Sequence, residues 1–211
     1  SDLKPIRHKN YELKIYNTDG ERVFTRDQLL VSGYLDGEMI HFIVNHWPSK
    51  RGGPKSIPYR KKAAALNLKI IKEIREKEPN AKIITMGDFN DDPIESSFKN
   101  VLKTVRKKKN VKENDLFNPF ENMFIHGLNT AGYRDNINLF DQLIVSSQLV
   151  TTTKQYDTYK LFHANIFNPK FLISKKGKYK GYPNRSFASG KYTGGYSDHF
   201  PAYIYLIREV K

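Results

Sequence analysis

The chain has 211 residues, of which 38% are hydrophobic and 13% aromatic; 36 are basic and 22 acidic, none is cysteine, and the formal net charge is +14. The length supports one substantial core, the apolar content excludes a disordered chain, and the lack of cysteine excludes both a disulfide framework and a thiolate metal site. The charge favours polyanions such as nucleic acid, an anionic membrane surface or a phosphate-bearing substrate, with a merely solubilising basic surface as the competing reading.

In chain order, "VSGYLDG" reads as a hairpin partner turning at Asp36-Gly37, followed by "EMIHFIVNHW" (Glu38–Trp47), a nearly continuous apolar run read as a buried strand. A Gly/Pro/Ser-rich loop, "PSKRGGPKSIP", leads into a helix over Tyr59–Glu78. There Ala63, Leu66, Ile70 and Ile74 share one face, and Pro79-Asn80 stop the helix. A strand running into Gly87 follows at once. Residues Asp91–Asn118 read as a loop and a basic segment, and Leu139–Ser147 as a further strand. Ser174–Lys191 holds six lysines and arginines and no acid, and Ala202–Ile207 is the closing strand. No internal repeat and no linker divides the chain, so a single mixed α/β sandwich is expected.

Four polar clusters fall on or at the ends of apolar strands: Asn45-His46, "GDFN" (Gly87–Asn90), Asp141, and "SDH" (Ser197–His199). If those strands are neighbours, the clusters converge on one rim of a sheet, where enzymes commonly place their chemistry. Asp141 interrupts an apolar strand, so it either orients a histidine or sits at an edge capping backbone groups. His199 and His46 each read as a catalyst or as a structural histidine bonded to the backbone. Asn45 beside His46 makes a donor-rich pair suited to phosphoryl oxygens. Asp88 with Asn90 can hold and polarise a water, and hard cations such as Mg²⁺ need only one or two carboxylates. The other reading of Asp-x-Asn-Asp-Asp-Pro is a turn, and Asp91 and Asp92 are read as turn residues.

Taken together, "NHWPSKRGG", "GDFNDDP", "LFDQLIVS" and "YSDHFPAYIYL", in that order, resemble the endonuclease/exonuclease/phosphatase family. The flavour of "NHWPSKRGG" and "NTAGYRDNINLFDQLIVS" is most similar to bacterial members known only as hydrolases of the family, so a bacterial source is implied, with the compartment, cytoplasmic or exported, left open. The resemblance implies an α+β fold, a four-layer α/β sandwich, in one domain over residues 1–211. It implies that Asp88 orients or deprotonates the attacking water and that Asn90 holds water or a phosphate oxygen. Asp141 then hydrogen-bonds His199, which stabilises or protonates the phosphoryl group. His46, with Asn45, grips phosphate or protonates the leaving oxygen, and Asp198 helps bind the divalent metal, Mg²⁺ with Mn²⁺ or Ca²⁺ as substitutes.

The family's Glu ligand, which sits in a "QE" context, has no counterpart here: Glu12, Glu21 and Glu38 lie in polar or hairpin-like surroundings. The resemblance is therefore expected to cover the C-terminal two-thirds of the family's domain. On this reading the N-terminal portion is lacking, Ser1–Leu35 corresponds to the middle of the fold, and an N-terminal segment or second chain completes it. These residues alone are expected to bind metal weakly and to turn over slowly or not at all. The function implied is a metal-dependent phosphodiesterase or nuclease. The alternative is a catalytically impaired polyanion-binding module built on the same fold.

Nucleic acid is the favoured partner because basic residues recur in Arg51–Lys62, Arg106–Lys112 and Lys175–Lys191. Tyr179, Tyr182, Phe187 and Tyr192, interleaved with lysines, suit base stacking, or else belong to solvated loops. Arg51, Arg60 and Arg134 are further candidates for phosphate contact.

Overall fold

An edge strand that no apolar alternation announces starts the fold. In the computed structural model, which describes residues 3–133, 136–188 and 190–209, β1 spans Leu3–Tyr11 and is exposed along nearly its whole length. Its lysines, Pro5 and a register shift between Pro5 and Arg7 suit an edge that must not recruit further strands. It pairs antiparallel with β2 (Gln28–Leu35), which turns through Asp36 (φ 44°) and Gly37 (φ 84°) into β3 (Glu38–His46). Two positive φ values in a two-residue loop are the hairpin geometry that matches strand twist, as the Asp-Gly pair foretold.

Helix α1 runs over Ile57–Lys77, with a proline in its first turn and Arg75 and Lys77 in its last, where cations face the negative end of the dipole. Its buried face carries Arg60, Ala63, Ala64, Asn67, Ile70, Ile71 and Ile74. The helix returns the chain to β4 (Lys82–Asp88), parallel to β3. Two short elements follow, β5 (Leu116–Phe117) and α2 (Phe120–Ile125), and then β6 (Asp141–Ser146), antiparallel to β4. The six-stranded sheet has the order β1-β2-β3-β4-β6-β5. The stretch read as loop between Asp91 and Asn118 also holds a π-helical turn at Ser97–Leu102.

One face of this sheet packs on α1. Ile43, Ile70, Ile71, Ile83 and Ile144 are all fully buried there, and each such side chain contributes about 1.5–3 kcal/mol. Against the other face lies a two-stranded antiparallel sheet of β7 (Lys160–Ile166) and β8 (Ala202–Ile207). Leu161 and Ile204 pack there with Ile40, Ile84 and Val145.

The layers among the described residues are thus helix, sheet and sheet. The fourth layer expected from the sequence is not among them, and Phe162 and Tyr205 on the two-stranded sheet are exposed. No helix of the described residues is long and apolar enough to cross a membrane.

Candidate active site

The register of three strands brings the polar clusters together. In the parallel β3–β4 pair, Asn45 lies beside Gly87 and His46 beside Asp88. In the antiparallel β4–β6 pair, Asp88 lies directly opposite Asp141. Gly87 makes the first approach possible. Its φ is 132°, and a Cβ there would lie 2.0 Å from the Asn45 carbonyl oxygen, so no other residue fits.

Asp88 divides its two carboxylate oxygens between structure and cleft. Oδ1 accepts the Asn90 backbone N–H at 2.8 Å, locking a turn in which Asn90 takes a left-handed conformation (φ 50°). Oδ2 lies 3.6 Å from His46 Nε2. The Asn90 amide nitrogen donates to the Trp47 carbonyl at 2.9 Å, leaving its Oδ1 as acceptor for the cleft it lines. Beneath this rim Trp47, Phe89 and Phe98 pack ring against ring, with centroids 4.8–5.5 Å apart, and fix the turn from below.

His199 enters from the segment that leads into β8, and its Nδ1 lies 2.7 Å from Asp141 Oδ2. Thr130, which sequence reasoning missed, ties both partners in place. Its Oγ1 accepts the backbone N–H groups of Phe140 and Asp141, each at 3.1 Å, and its carbonyl accepts that of Phe200 at 2.7 Å. Asp141 begins its strand rather than interrupting it.

The electrostatics follow from this crowding. Burial raises the pKa of Asp88 and the facing Asp141 carboxylate adds to it, while the Asn90 N–H and the two histidines pull it down without cancelling the rise. For His199, burial disfavours the charged ring. The hydrogen bond and charge of Asp141, helped by Asp88 and Asp198, outweigh that, so its pKa is raised.

His46, Asp88, Asn90, Asp141, Asp198 and His199 all line one cleft of about 1210 Å³. Arg51 lines it as well, joined by Arg26, Lys50 and Arg185, none of which was singled out individually from the sequence. Lys50 bonds Asp92 at 3.0 Å and Glu95 at 3.1 Å and lies over the Phe140 ring, so its charge is already matched.

Two expected substrate contacts are corrected. Asn45 turns inward: its amide donates to the Ile43 and Met86 carbonyls and to Thr85 Oγ1, and its Oδ1 accepts from Trp47 Nε1 and from Asn67 on α1. Adjacent strand residues point to opposite faces, so His46 and Asn45 do not share the cleft. Arg60 is buried in an ion pair with Asp91 at 2.6 Å and also donates to Ser56 Oγ at 2.9 Å. Asp91 and Asp92 are correspondingly more than turn residues: Asp91 also accepts from Ser97, and Asp92 accepts the Leu139 N–H at 2.8 Å, clamping the Asp88 turn to the entrance of β6. Arg134 lies outside the described residues. Tyr182 packs its ring on Gly132, a residue of the cleft wall, where a Cβ would lie 2.7 Å from it.

A divalent cation was the expected cofactor. Among the described residues no three His, Asp or Glu side chains gather to cage a metal. The donors that do face the cleft, from Asp88, Asn90 and Asp198, are hard oxygens. They suit an ion that keeps its waters and takes one or two carboxylates plus substrate phosphate. A cation there would also offset the burial and the facing Asp141 charge that raise Asp88.

A sequence profile of the Endonuclease/Exonuclease/phosphatase family matches residues 1–208. Similarity expected over only the C-terminal two-thirds of the domain therefore extends over nearly the whole chain, the N-terminal strands included. No curated protein matches the chain in sequence. Among solved structures, an endonuclease/exonuclease/phosphatase family protein from Bacteroides thetaiotaomicron superposes with a TM-score of 0.57 at 15% identity, covering 99% of this chain and 65% of that one. A mannosyl-6-phosphatase of the same organism gives 0.56 at 16%, covering 98% and 67%. D. rerio TDP2, solved with a single-strand DNA product, gives 0.53 at 14%, covering 98% and 69%. At such identities the likeness shows the fold alone, and the chain spans about two thirds of the length of these structures.

Proposed function

The chain belongs to the endonuclease/exonuclease/phosphatase family, and from that premise we propose that it is a phosphoester hydrolase that depends on a divalent cation. Its chemistry is in-line attack of water on phosphorus, and phosphodiesters, nucleic acid foremost, are its substrates. The observation that carries this reading is the pairing of Asp88 with Asp141 across the β4–β6 ladder, with His199 on Asp141 and His46 on Asp88.

Each group has a task set by its surroundings. Asp88, with its raised pKa, orients the water and accepts its proton, which a carboxylate of ordinary acidity does less well. Asn90 holds the water or a phosphate oxygen through Oδ1. Asp141 keeps the His199 ring oriented and charged, so that a cationic N–H faces the phosphoryl group as negative charge builds on its oxygens. His46 and His199 share the two remaining tasks, gripping the phosphoryl oxygens and protonating the leaving oxygen as the P–O ester bond breaks. Asp198, with Asp88 and Asn90, would hold Mg²⁺, or Mn²⁺ or Ca²⁺ in its place, and such an ion supplies charge to the phosphoryl oxygens when bound.

A second reading has its own observation: no three acidic or histidine side chains gather as a metal cage among the described residues. It makes the protein a polyanion-binding module that grips without turnover. Incubation with plasmid DNA, RNA and a panel of small phosphoesters, in Mg²⁺ or EDTA, separates the two. Mg²⁺-dependent product supports the hydrolase, and salt-sensitive binding without product in any divalent cation supports the module.

A further inference from the structure

The chemistry above needs one phosphate, yet the cleft of about 1210 Å³ exceeds the 300–1,000 Å³ common for small-ligand pockets. Its cations divide into two kinds. Lys50 is matched by Asp92 and Glu95. The guanidinium groups of Arg26, Arg51 and Arg185 have no carboxylate or hydrogen-bond partner among the described residues, although all three line the cleft. A guanidinium fork suits phosphate oxygens in a way an ammonium does not.

Arg26 and Arg185 have a further feature in common. Each stands two residues from an exposed phenylalanine, Phe24 at 88% and Phe187 at 60% exposure. Each ring is steadied by a neighbour. The Arg22 guanidinium sits 5.9 Å from the Phe24 centroid, and Tyr192 meets Phe187 edge-on at 5.5 Å. A large ring held in place yet open to solvent is a surface for something flat and apolar. Phosphate paired with a flat ring is the repeating chemistry of a nucleotide. In a duplex both faces of each base are already stacked, so open rings suit an unpaired strand.

We propose that Arg26 with Phe24, and Arg185 with Phe187, form two nucleotide subsites that flank the scissile phosphate and seat a single-stranded polynucleotide, phosphate on guanidinium and base on ring. The inference rests on the phosphoester reading of the cleft, and its test is kept separate from turnover.

Binding of fluorescein-labelled (dT)10 and of an abasic decamer is measured by anisotropy in EDTA over a range of salt, for the wild type, Arg26→Ala, Arg185→Ala, Phe24→Ala, Phe187→Ala and Lys69→Ala. Lys69 is an exposed cation on α1 away from the cleft. Each arginine variant is expected to weaken both decamers and to flatten the log–log salt slope by about 0.7. Each phenylalanine variant is expected to weaken (dT)10 by about fivefold or more and to leave the abasic decamer unchanged. Arginine variants that bind like Lys69→Ala, or phenylalanine variants that weaken both decamers alike, overturn the subsites. Failure of the wild type to hydrolyse bis(p-nitrophenyl) phosphate in Mg²⁺ would instead remove the hydrolase reading and leave these binding results standing.

Discussion

Asp88 and Asp141 face each other as directly paired residues of adjacent antiparallel strands, two carboxylates on one half-buried rim. Burial first and the Asp141 charge second raise the Asp88 pKa. A group whose folded pKa is raised binds its proton more tightly folded than unfolded. Its contribution to stability is therefore full below the unfolded value, near 4, and is lost as pH rises through the folded value. At pH 7 the ionised Asp88 thus costs stability. Asp88→Asn is expected to raise Tm at pH 7 by a few degrees, with the gain fading toward pH 4, while turnover collapses. Calorimetry at the two pH values checks it, and a lower Tm at pH 7 would refute it.

On the mechanism proposed, the same pair sets the pH dependence of the reaction. Asp88 must be ionised to accept a proton and His199 charged to face the phosphoryl oxygens, so kcat/KM should trace a bell. Both limbs sit at higher pH than ordinary Asp and His values, because both pKa values are raised. Asp141→Asn removes the charge that helps raise each. Both limbs are therefore expected to move to lower pH together. Movement of one limb alone would mean that Asp141 does not link the two groups.

Thr130 is fully buried and holds Phe140, Asp141 and Phe200 through one hydroxyl and one carbonyl. Thr130→Val keeps the shape and deletes the acceptor, which leaves two backbone N–H groups short of a partner, at a cost of about 1–3 kcal/mol. As a positioning residue it should lower kcat more than it changes KM, and Thr130→Ser should restore kcat. A variant with reduced stability but unaltered kcat would make its role structural only.

Arg60 separates packing from substrate contact. The Arg60–Asp91 pair is almost fully buried, and burial raises Asp91 even though Ser97 and Arg60 hold its charged form. Arg60→Ala leaves that carboxylate unmatched and is expected to cost about 3–5 kcal/mol, read as a fall in the urea midpoint. A raised KM with an unchanged midpoint would return Arg60 to the substrate.

What the sequence disclosed and what it hid have physical causes. The Asp36-Gly37 hairpin and α1 were legible because a two-residue turn and a 3.6 period are local signals. β1 was not, since an edge strand exposed on both faces has no alternation to read. The convergence of His46, Asp88, Asp141 and His199 was legible in kind, from polar residues ending apolar strands. Periodicity already held both corrections. Asn45 alternates with His41 and Ile43 toward α1, and Arg60 shares the helix face of Ala63, Ala64 and Asn67. Arg26, Arg185 and Thr130 act through partners or a cleft far away in sequence; Arg185 and Thr130 sit in stretches that drew attention as segments, yet nothing local marks the individual residues.

The most direct measurement is hydrolysis of bis(p-nitrophenyl) phosphate by the wild type, Asp88→Asn and His199→Ala, each in Mg²⁺ and in EDTA. A hydrolase built on these groups releases nitrophenol in Mg²⁺, loses that activity in EDTA, and falls by at least about 100-fold in either variant. Turnover that survives Asp88→Asn at the wild-type rate, or a folded protein with no turnover at any divalent concentration, would contradict it.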